Sequence, residues 1–191
     1  MAHDGEELIR RSFLDSAANF TALAGMAPQV AAAAERMIAS IRAGGKVMFC
    51  GNGGSAADAQ HLATELLGRY LRNRPALPAL ALTTDSSALT AIGNDFGFVD
   101  VFARQLRGLG RSGDLLVAIT TSGNSPNVLE AVKAAREMGI GVIGLTGQGG
   151  GALRDACDLC LCVPSAHTPR IQEMHIAVGH LLCELVENAF A

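Results

Sequence analysis

Five short apolar runs alternate with longer segments that have the residue spacing of helices. The runs occupy residues 46–50, 79–83, 115–119, 141–145 and 159–163. Short apolar runs between helices are typical of a parallel sheet that is covered on both faces. The pattern therefore predicts an α/β fold with a doubly wound, five-stranded parallel sheet flanked by helices. Ligands of such folds bind at the carboxyl ends of the strands, near the point where the strand order reverses.

Helical periodicity continues beyond the sheet at both ends of the chain. Residues 6 to about 24 carry apolar side chains at helical spacing, and a second helix is expected from Pro28 to Ile41. Residues 68–78 are expected to form a connecting loop. The segment 168–190 predicts one long helix, with too many apolar residues for a single stripe. Because a helix that is apolar almost all round is buried, we expect this helix at a subunit interface.

Length, composition and charge restrict the class of protein. The 191 residues, of which 49% are hydrophobic, are sufficient for one domain spanning 1–191 with its own core. The formal net charge of −3 includes no basic excess, so nucleic acid is not expected as a partner. There is no apolar stretch of about twenty residues, and the acidic start does not resemble a signal peptide. We therefore expect a cytoplasmic protein with no membrane partner.

Two polar loops follow the first and third apolar runs. The first is Gly51-Asn52-Gly53-Gly54-Ser55, and the second is Thr120-Thr121-Ser122-Gly123-Asn124-Ser125. Each loop precedes a predicted helix, whose free N–H groups and dipole favour a bound anion. These loops predict a phosphate site at the carboxyl edge of the sheet.

Gly51-x-Gly53-x-x-Ala56 also fits a dinucleotide-binding pattern between a strand and a helix. The acid that this motif requires at the end of the next strand is not well placed, because Asp85 comes late. A phosphate loop of the Walker A type is excluded, since no Gly-Lys-Ser/Thr follows. A tight turn without ligand remains a further interpretation of the glycines.

Two predicted helices carry candidate chemical groups. His61 and Glu65 are four residues apart, so they share one helix face and could chelate a divalent ion. An exposed polar pair is the alternative. The last helix carries a second set of polar residues, and spacing alone does not choose among them. They are Gln172, Glu173, His175, His180 and Glu184.

Five motifs occur together and in order along the chain. They are Gly51-Asn52-Gly53-Gly54-Ser55, Gly68-Arg69-Tyr70, Ala91-Ile92-Gly93-Asn94-Asp95-Phe96-Gly97, Thr121-Ser122-Gly123-Asn124-Ser125 and Arg170-Ile171-Gln172-Glu173-Met174-His175. With these motifs the chain resembles the phosphoheptose isomerase family of the sugar isomerase (SIS) fold, over nearly its whole length. The resemblance implies isomerisation of sedoheptulose 7-phosphate to D-glycero-D-manno-heptose 7-phosphate through an enediol. The product would serve ADP-heptose synthesis for the lipopolysaccharide core and capsule.

The resemblance also implies roles for individual residues and a homotetramer with sites near subunit interfaces. Glu65 would be the general base and His180 the acid. The implied ligands of one zinc ion per subunit are His61, Glu65, Gln172 and His180. The implied substrate contacts are Asn52, Gly53, Gly54, Ser55, Glu65, Asn94, Asp95, Thr120, Thr121, Ser122, Ser125 and Gln172.

The implied ligand set contains a geometric difficulty. Gln172 and His180 are eight residues apart, which is a rise of about 12 Å along a straight helix. We therefore expect a composite site in which these two ligands come from different subunits. Two other functions stay open at this stage. One is an SIS-type protein that binds the replication initiator DnaA without isomerase activity, and the other is a nicotinamide-dependent oxidoreductase.

Overall fold

A computed structural model describes the backbone of residues 2–191 and the side chains from Asp4 onward. The strands are β1 (Val47–Gly51), β2 (Ala79–Ala81), β3 (Leu115–Ile119), β4 (Gly141–Thr146) and β5 (Leu159–Cys162). The helices are α1 (Ala2–Leu23), α2 (Ala27–Arg42), α3 (Gly54–Leu67), α4 (Ser86–Asp95), α5 (Val101–Leu109), α6 (Pro126–Glu137), α7 (Leu153–Ala156) and α8 (Thr168–Phe190). Short 3-10 turns at Ala24–Met26 and Phe98–Asp100 precede α2 and α5.

The five strands form one parallel sheet in the order β2-β1-β3-β4-β5. The chain passes from β1 to β2 on one side and then crosses to β3 on the other, so the order reverses between β1 and β3. Gly51 pairs with Ile119 at the carboxyl ends of these two strands. The two polar loops therefore start side by side at the reversal point, as the doubly wound arrangement predicts. The predicted fold class is confirmed.

Alternating side chains of the strands build two cores. Phe49 points to the layer made by α2, α3 and α8, whereas Met48 points to the layer that contains α5 and α6. Both side chains are fully buried, as are the central residues of β3 and β4. Burying a side chain of this size stabilises the fold by roughly 1.5–3 kcal/mol. The sheet is thus fixed from both faces, and its loops extend from a rigid support.

The boundaries differ slightly from those that periodicity predicts. β2 ends at Ala81, two residues early, although Leu82 N still donates to Phe49 O at 2.9 Å. The long last helix has the predicted bounds. One side of α8 is buried, but Leu181 and Leu185 are 48% and 40% exposed. None of the described helices combines the length and apolar character that crossing a membrane requires.

Candidate active site

The loop between β1 and α3 is shaped by two glycines. Gly53 has a φ of +56°, a region that glycine enters without strain. Gly54 begins α3, and a β-carbon there would stand 2.8 Å from Cδ of Gln172 on α8. Asn52 exchanges two hydrogen bonds of 2.8 Å with Asn127 at the start of α6. The loop is thus held between α6 and α8. Its own carbonyls accept from the first turn of α3, since Ser55 N donates to Asn52 O and Ala56 N to Gly53 O, both at 3.0 Å.

The loop between β3 and α6 presents hydroxyl groups beside the first loop. Thr120 Oγ1 lies 2.8 Å from Ser125 Oγ, and Ser122 Oγ accepts a 3.1 Å hydrogen bond from Asn124 N. Gly123 is held against the next loop, where a β-carbon would stand 2.9 Å from Gly151 Cα. A cavity of about 100 Å³ lies between the two polar loops and α8. Its lining residues are Asn52, Ser55, Ile119, Thr120, Thr121, Ser125 and Gln172.

Two turns farther along α3, His61 and Glu65 meet His180 of α8. His61 Nε2 lies 2.8 Å from His180 Nε2 and 3.3 Å from Glu65 Oε1. The His61 and His180 rings meet edge to face, with centroids 5.0 Å apart. Because two protonated nitrogens would repel at this distance, one ring donates and the other accepts. The Tyr70 ring also contacts the His180 ring, with centroids 5.6 Å apart.

Two half-buried ionisable groups, Asp58 and Tyr70, lie near this cluster. Burial raises the pKa of Asp58 to about 6, while the nearby His61 opposes the shift. Asp58 Oδ2 is buried and has no hydrogen-bond partner among the described residues. Burial also raises the pKa of the Tyr70 phenol, and the charges of Glu184 and Glu65 add to that effect. The cluster therefore lies in surroundings that penalise unpaired negative charge.

The donor set around His61 has the chemistry of a zinc site. Nitrogen ligands lie about 2.0–2.1 Å from zinc, so two ligands of a tetrahedral ion are roughly 3.3 Å apart. The 3.3 Å from His61 Nε2 to Glu65 Oε1 matches this value, whereas the 2.8 Å to His180 Nε2 is a hydrogen-bond distance. Across the side chains that the structure describes, no three His, Cys, Asp or Glu residues form a metal-binding group. The residues fit zinc in type and in the His61–Glu65 contact, without forming a complete cage.

Comparison with known proteins agrees with this arrangement. A phosphoheptose isomerase of Rhodospirillum rubrum is 64% identical over 180 residues, which cover 94% of this chain and 96% of that protein. The chain belongs to the phosphoheptose isomerase family. A second family member, from Akkermansia muciniphila, is 58% identical over 95% of this chain and 96% of its own length. Residues 13–147 match the SIS domain family.

Solved structures of phosphoheptose isomerases have the same fold. The GmhA structure from Neisseria gonorrhoeae superposes with a TM-score of 0.91 at 47% identity, covering 96% of this chain and 98% of that one. The structure from Francisella tularensis has a TM-score of 0.92 at 41% identity, with 95% and 97% coverage. The similarity includes the two N-terminal helices and α8.

One chain of this phosphoheptose isomerase family member assembles most of the predicted site residues. Asn52, Ser55, Thr120, Thr121, Ser125 and Gln172 surround the cavity, and His61, Glu65 and His180 meet beyond it. Ser122 lies in the second loop. Asn94 and Asp95 end α4 and share a 2.8 Å hydrogen bond, but α4 packs chiefly on α5 and the turn at Phe98–Asp100. Neither residue is among those that line the cavity, and their contact with substrate stays a prediction.

Gln172 lies with the loops and not with the histidines, because α8 is continuous between Gln172 and His180. Sequence reasoning also missed several residues that shape the site. Asn127 fixes Asn52, and Asn124 Oδ1 accepts a 2.9 Å hydrogen bond from Ala152 N. Asn124 stands in a recognised motif, which was a usable signal. Asn127 is the second residue of α6, and no sequence pattern pointed to it.

Proposed function

We propose that this chain isomerises sedoheptulose 7-phosphate to D-glycero-D-manno-heptose 7-phosphate. The observation that carries the proposal is the position of His61 and Glu65 on α3, the helix that begins at the first polar loop, with His180 of α8 beside His61. His61 follows Gly54 by seven residues, a rise of about 10 Å along α3. In a heptose 7-phosphate the reacting carbons lie at the opposite end from the phosphate. Such a substrate can place its phosphate at the loops and C1 and C2 at the cluster.

The loops suit the phosphate end of this substrate. The cavity of about 100 Å³ is well below the roughly 300 Å³ at which pockets enclose whole small-molecule ligands. Hydroxyls of Ser55, Thr120 and Ser125 line it, and the N terminus of α3 adds a favourable dipole. These hydroxyls and the dipole thus favour phosphate here without a lysine or arginine in the cavity wall. Fixing the phosphate orients the reacting carbons.

Glu65 and His180 supply the proton transfers. Glu65 removes a proton from C1 of the ketose, and an enediol forms as His180 donates a proton to the carbonyl oxygen on C2. Glu65 then returns the proton to C2 while His180 takes the proton from the hydroxyl on C1, which leaves the aldehyde. Each residue ends in its starting protonation state. His61 contacts both groups and holds them in a fixed relation.

A zinc ion held by His61, Glu65, Gln172 and His180 is part of the proposal. When bound, it would supply positive charge that polarises the substrate carbonyl. The contact of His61 with Glu65 supports this assignment. Gln172 lies at the other end of the site, so we retain the proposal that it and His180 serve one site from different subunits.

We further propose a cytoplasmic homotetramer whose product enters ADP-heptose synthesis for lipopolysaccharide core and capsule. An apolar groove of about 530 Å³ between the N-terminal helices and α8 supports subunit contacts along α8. Its wall includes Phe20 and Leu181, which are largely exposed in the isolated chain. The five cysteines are free thiols, which is ordinary in a reducing compartment.

The decisive experiment is an assay with sedoheptulose 7-phosphate that compares the parent with Glu65→Gln. Removal of the base should lower kcat by about 10²–10⁴-fold while circular dichroism and oligomer size stay the same. Glu137→Gln is the control, because Glu137 forms an exposed ion pair with Arg107 away from the site. Equal turnover in parent and Glu65→Gln would remove Glu65 from the mechanism. Absence of parental turnover with added zinc would overturn the proposed reaction. The similarities found give no support to the DnaA-binding alternative.

A further inference from the structure

A buried ion pair lies outside the predicted site residues. Arg74 Nε is 3.4 Å from Glu187 Oε1, and the two side chains are 0% and 1% exposed. Glu187 is near the end of α8, and Arg74 is in the loop that follows α3. At this length the pair is mainly electrostatic and not a strong hydrogen bond. Replacing such a pair with apolar residues is often neutral for stability. The groups that the pair holds in place are therefore of more interest than its contribution to stability.

Glu187 binds the backbone of the loop. Its two oxygens accept hydrogen bonds from the N–H groups of Tyr70, Leu71 and Arg72, at 2.8, 2.7 and 2.7 Å. Burial acts to raise the pKa of Glu187, but these N–H groups and Arg74 outweigh it and hold the pKa below its usual range. The carboxylate is therefore charged at neutral pH, and it fixes three consecutive peptide groups.

Arg74 binds the end of α3. Its guanidinium donates to Glu65 O and to Leu66 O, both at 2.8 Å, and to Pro75 O at 2.9 Å. The last carbonyls of a helix have no partners within the helix, and a positive charge there also complements the helix dipole. Arg74 thus caps the helical turn that carries Glu65.

The loop held by Glu187 contacts the proposed acid. Tyr70 follows Gly68-Arg69, and its ring lies 5.6 Å from the His180 ring at an interplanar angle of 35°. His180 also meets His61. Fixing the backbone of Tyr70 therefore fixes one of the two rings that contact His180.

We infer that Glu187 is a positioning residue for the isomerase reaction, acting through Tyr70 on His180 and through Arg74 on the turn of Glu65. This inference rests on the proposed function for its kinetic readout. One buried carboxylate would thus align both Glu65 and His180, the two groups that transfer protons. Misplacing reacting groups by about 1 Å can cost on the order of 10²-fold in rate.

Glu187→Gln tests the inference, because it keeps the side-chain size but removes the charge and one acceptor oxygen. We expect kcat to fall between about tenfold and hundredfold with KM changed less than about threefold, since the phosphate loops are untouched. In two-dimensional NMR of the labelled imidazoles, the His180 resonance should shift, and His180→Gln identifies that resonance among the five histidines. Glu137→Gln again serves as control and should leave the His180 resonance and kcat as in the parent.

Tyr70→Leu separates positioning from stability, because it removes the ring and leaves the ion pair and the backbone hydrogen bonds. We expect it to lower kcat and shift the His180 resonance, and its effect should not add to that of Glu187→Gln in the double variant. Unchanged kcat and an unchanged His180 resonance in folded Glu187→Gln would overturn the inference. If Glu187→Gln does not fold, the same null result in Tyr70→Leu overturns it. If the parent protein does not turn over the heptose phosphate, the proposed function is wrong. The NMR comparison then still shows whether Glu187 positions His180.

Discussion

The backbone of Gly54 lies directly against the side-chain amide of Gln172. A β-carbon on Gly54 would stand 2.8 Å from Cδ of Gln172, which is closer than β-carbons pack. The contact joins the first turn of α3 to the first turns of α8 beside the phosphate cavity. It gives a physical reason for Gly54, the third glycine of the first polar loop. Gly53 has a separate reason, its positive φ.

Gly54→Ala is therefore expected to displace Gln172 and to weaken substrate binding. We expect KM for sedoheptulose 7-phosphate to rise about tenfold, equivalent to about 1.4 kcal/mol, with a smaller change in kcat. Gly108→Ala is the matched control, because a β-carbon at this helical glycine meets no atom within 4 Å. Steady-state kinetics of both variants measure the difference. A Gly54→Ala enzyme with parental KM would mean that Gln172 moves without consequence for the substrate.

Much of this arrangement could be predicted from local sequence patterns. A buried parallel strand is a short apolar run, and the polar loops follow such runs directly. The sheet and the meeting of the two loops at one edge were therefore both predictable. The His61–Glu65 contact follows from i, i+4 spacing on one helix. These features depend on residues close together along the chain.

The remaining features depend on how distant segments pack. The contact of His61 with His180 is set by the packing of α3 on α8, and helical periodicity does not specify that pairing. Glu187 belongs to the same apolar stretch of α8 that predicts an interface, yet its carboxylate is buried and fully paired with the loop at 70–72. A carboxylate within an apolar helix was the only local sign. The predicted supply of Gln172 and His180 from different subunits likewise depends on contacts between chains.

Metal removal should affect activity through His61. We expect the parent to purify with, or take up, about one zinc per subunit, and a chelator to lower kcat until zinc is restored. His61→Ala removes a nitrogen ligand and should weaken zinc binding by at least tenfold, measured by competition with a chromophoric chelator. His167→Ala is the control, because His167 precedes α8 and lies outside the proposed ligand set. Equal zinc affinity in His61→Ala and parent would exclude His61 as a ligand.

Asp58 should reduce stability as the pH rises. Burial raises its folded-state pKa to about 6, above the value of 3.8 that applies to the unfolded chain. Between these values the folded state binds more protons than the unfolded state, so the free energy of unfolding falls with increasing pH. Above the folded-state pKa the decrease in the free energy of unfolding is complete, and it amounts to at most about 3 kcal/mol. Asp58→Asn should be the more stable protein at pH 8.

Urea unfolding of the parent and Asp58→Asn at pH 3.5 and pH 8 checks this expectation. Near pH 3.5 the carboxyl is largely neutral in both states, so the two proteins should differ little. Their difference in unfolding free energy should grow between pH 4 and pH 6 and then remain constant. A difference that does not depend on pH would show that Asp58 is not destabilised by its charge.

His175 should reduce the free energy of unfolding as the pH falls, over a pH range that overlaps that of Asp58. Its ring is fully buried, and neither nitrogen has a hydrogen-bond partner among the described residues. Burial lowers its pKa to about 4, against a weak opposing interaction with the Thr146 backbone. The unfolded chain takes up the proton near the ordinary value of 6.5, so stability is full above that pH and is lost as the pH falls toward 4.

His175→Leu removes this titrating group and should make stability less dependent on pH. The parent should lose up to about 3 kcal/mol through His175 between pH 7 and pH 4, and the variant should not show that loss. Removing two unpaired buried nitrogens also offsets part of the cost of changing the shape of the core. Unfolding free energies of parent, His175→Leu and the double variant with Asp58→Asn, measured at pH 4, 5.5 and 7, separate the two opposing contributions. If His175→Leu keeps the parental loss of stability at low pH, the ring is protonated in the fold and has a partner that compensates its burial.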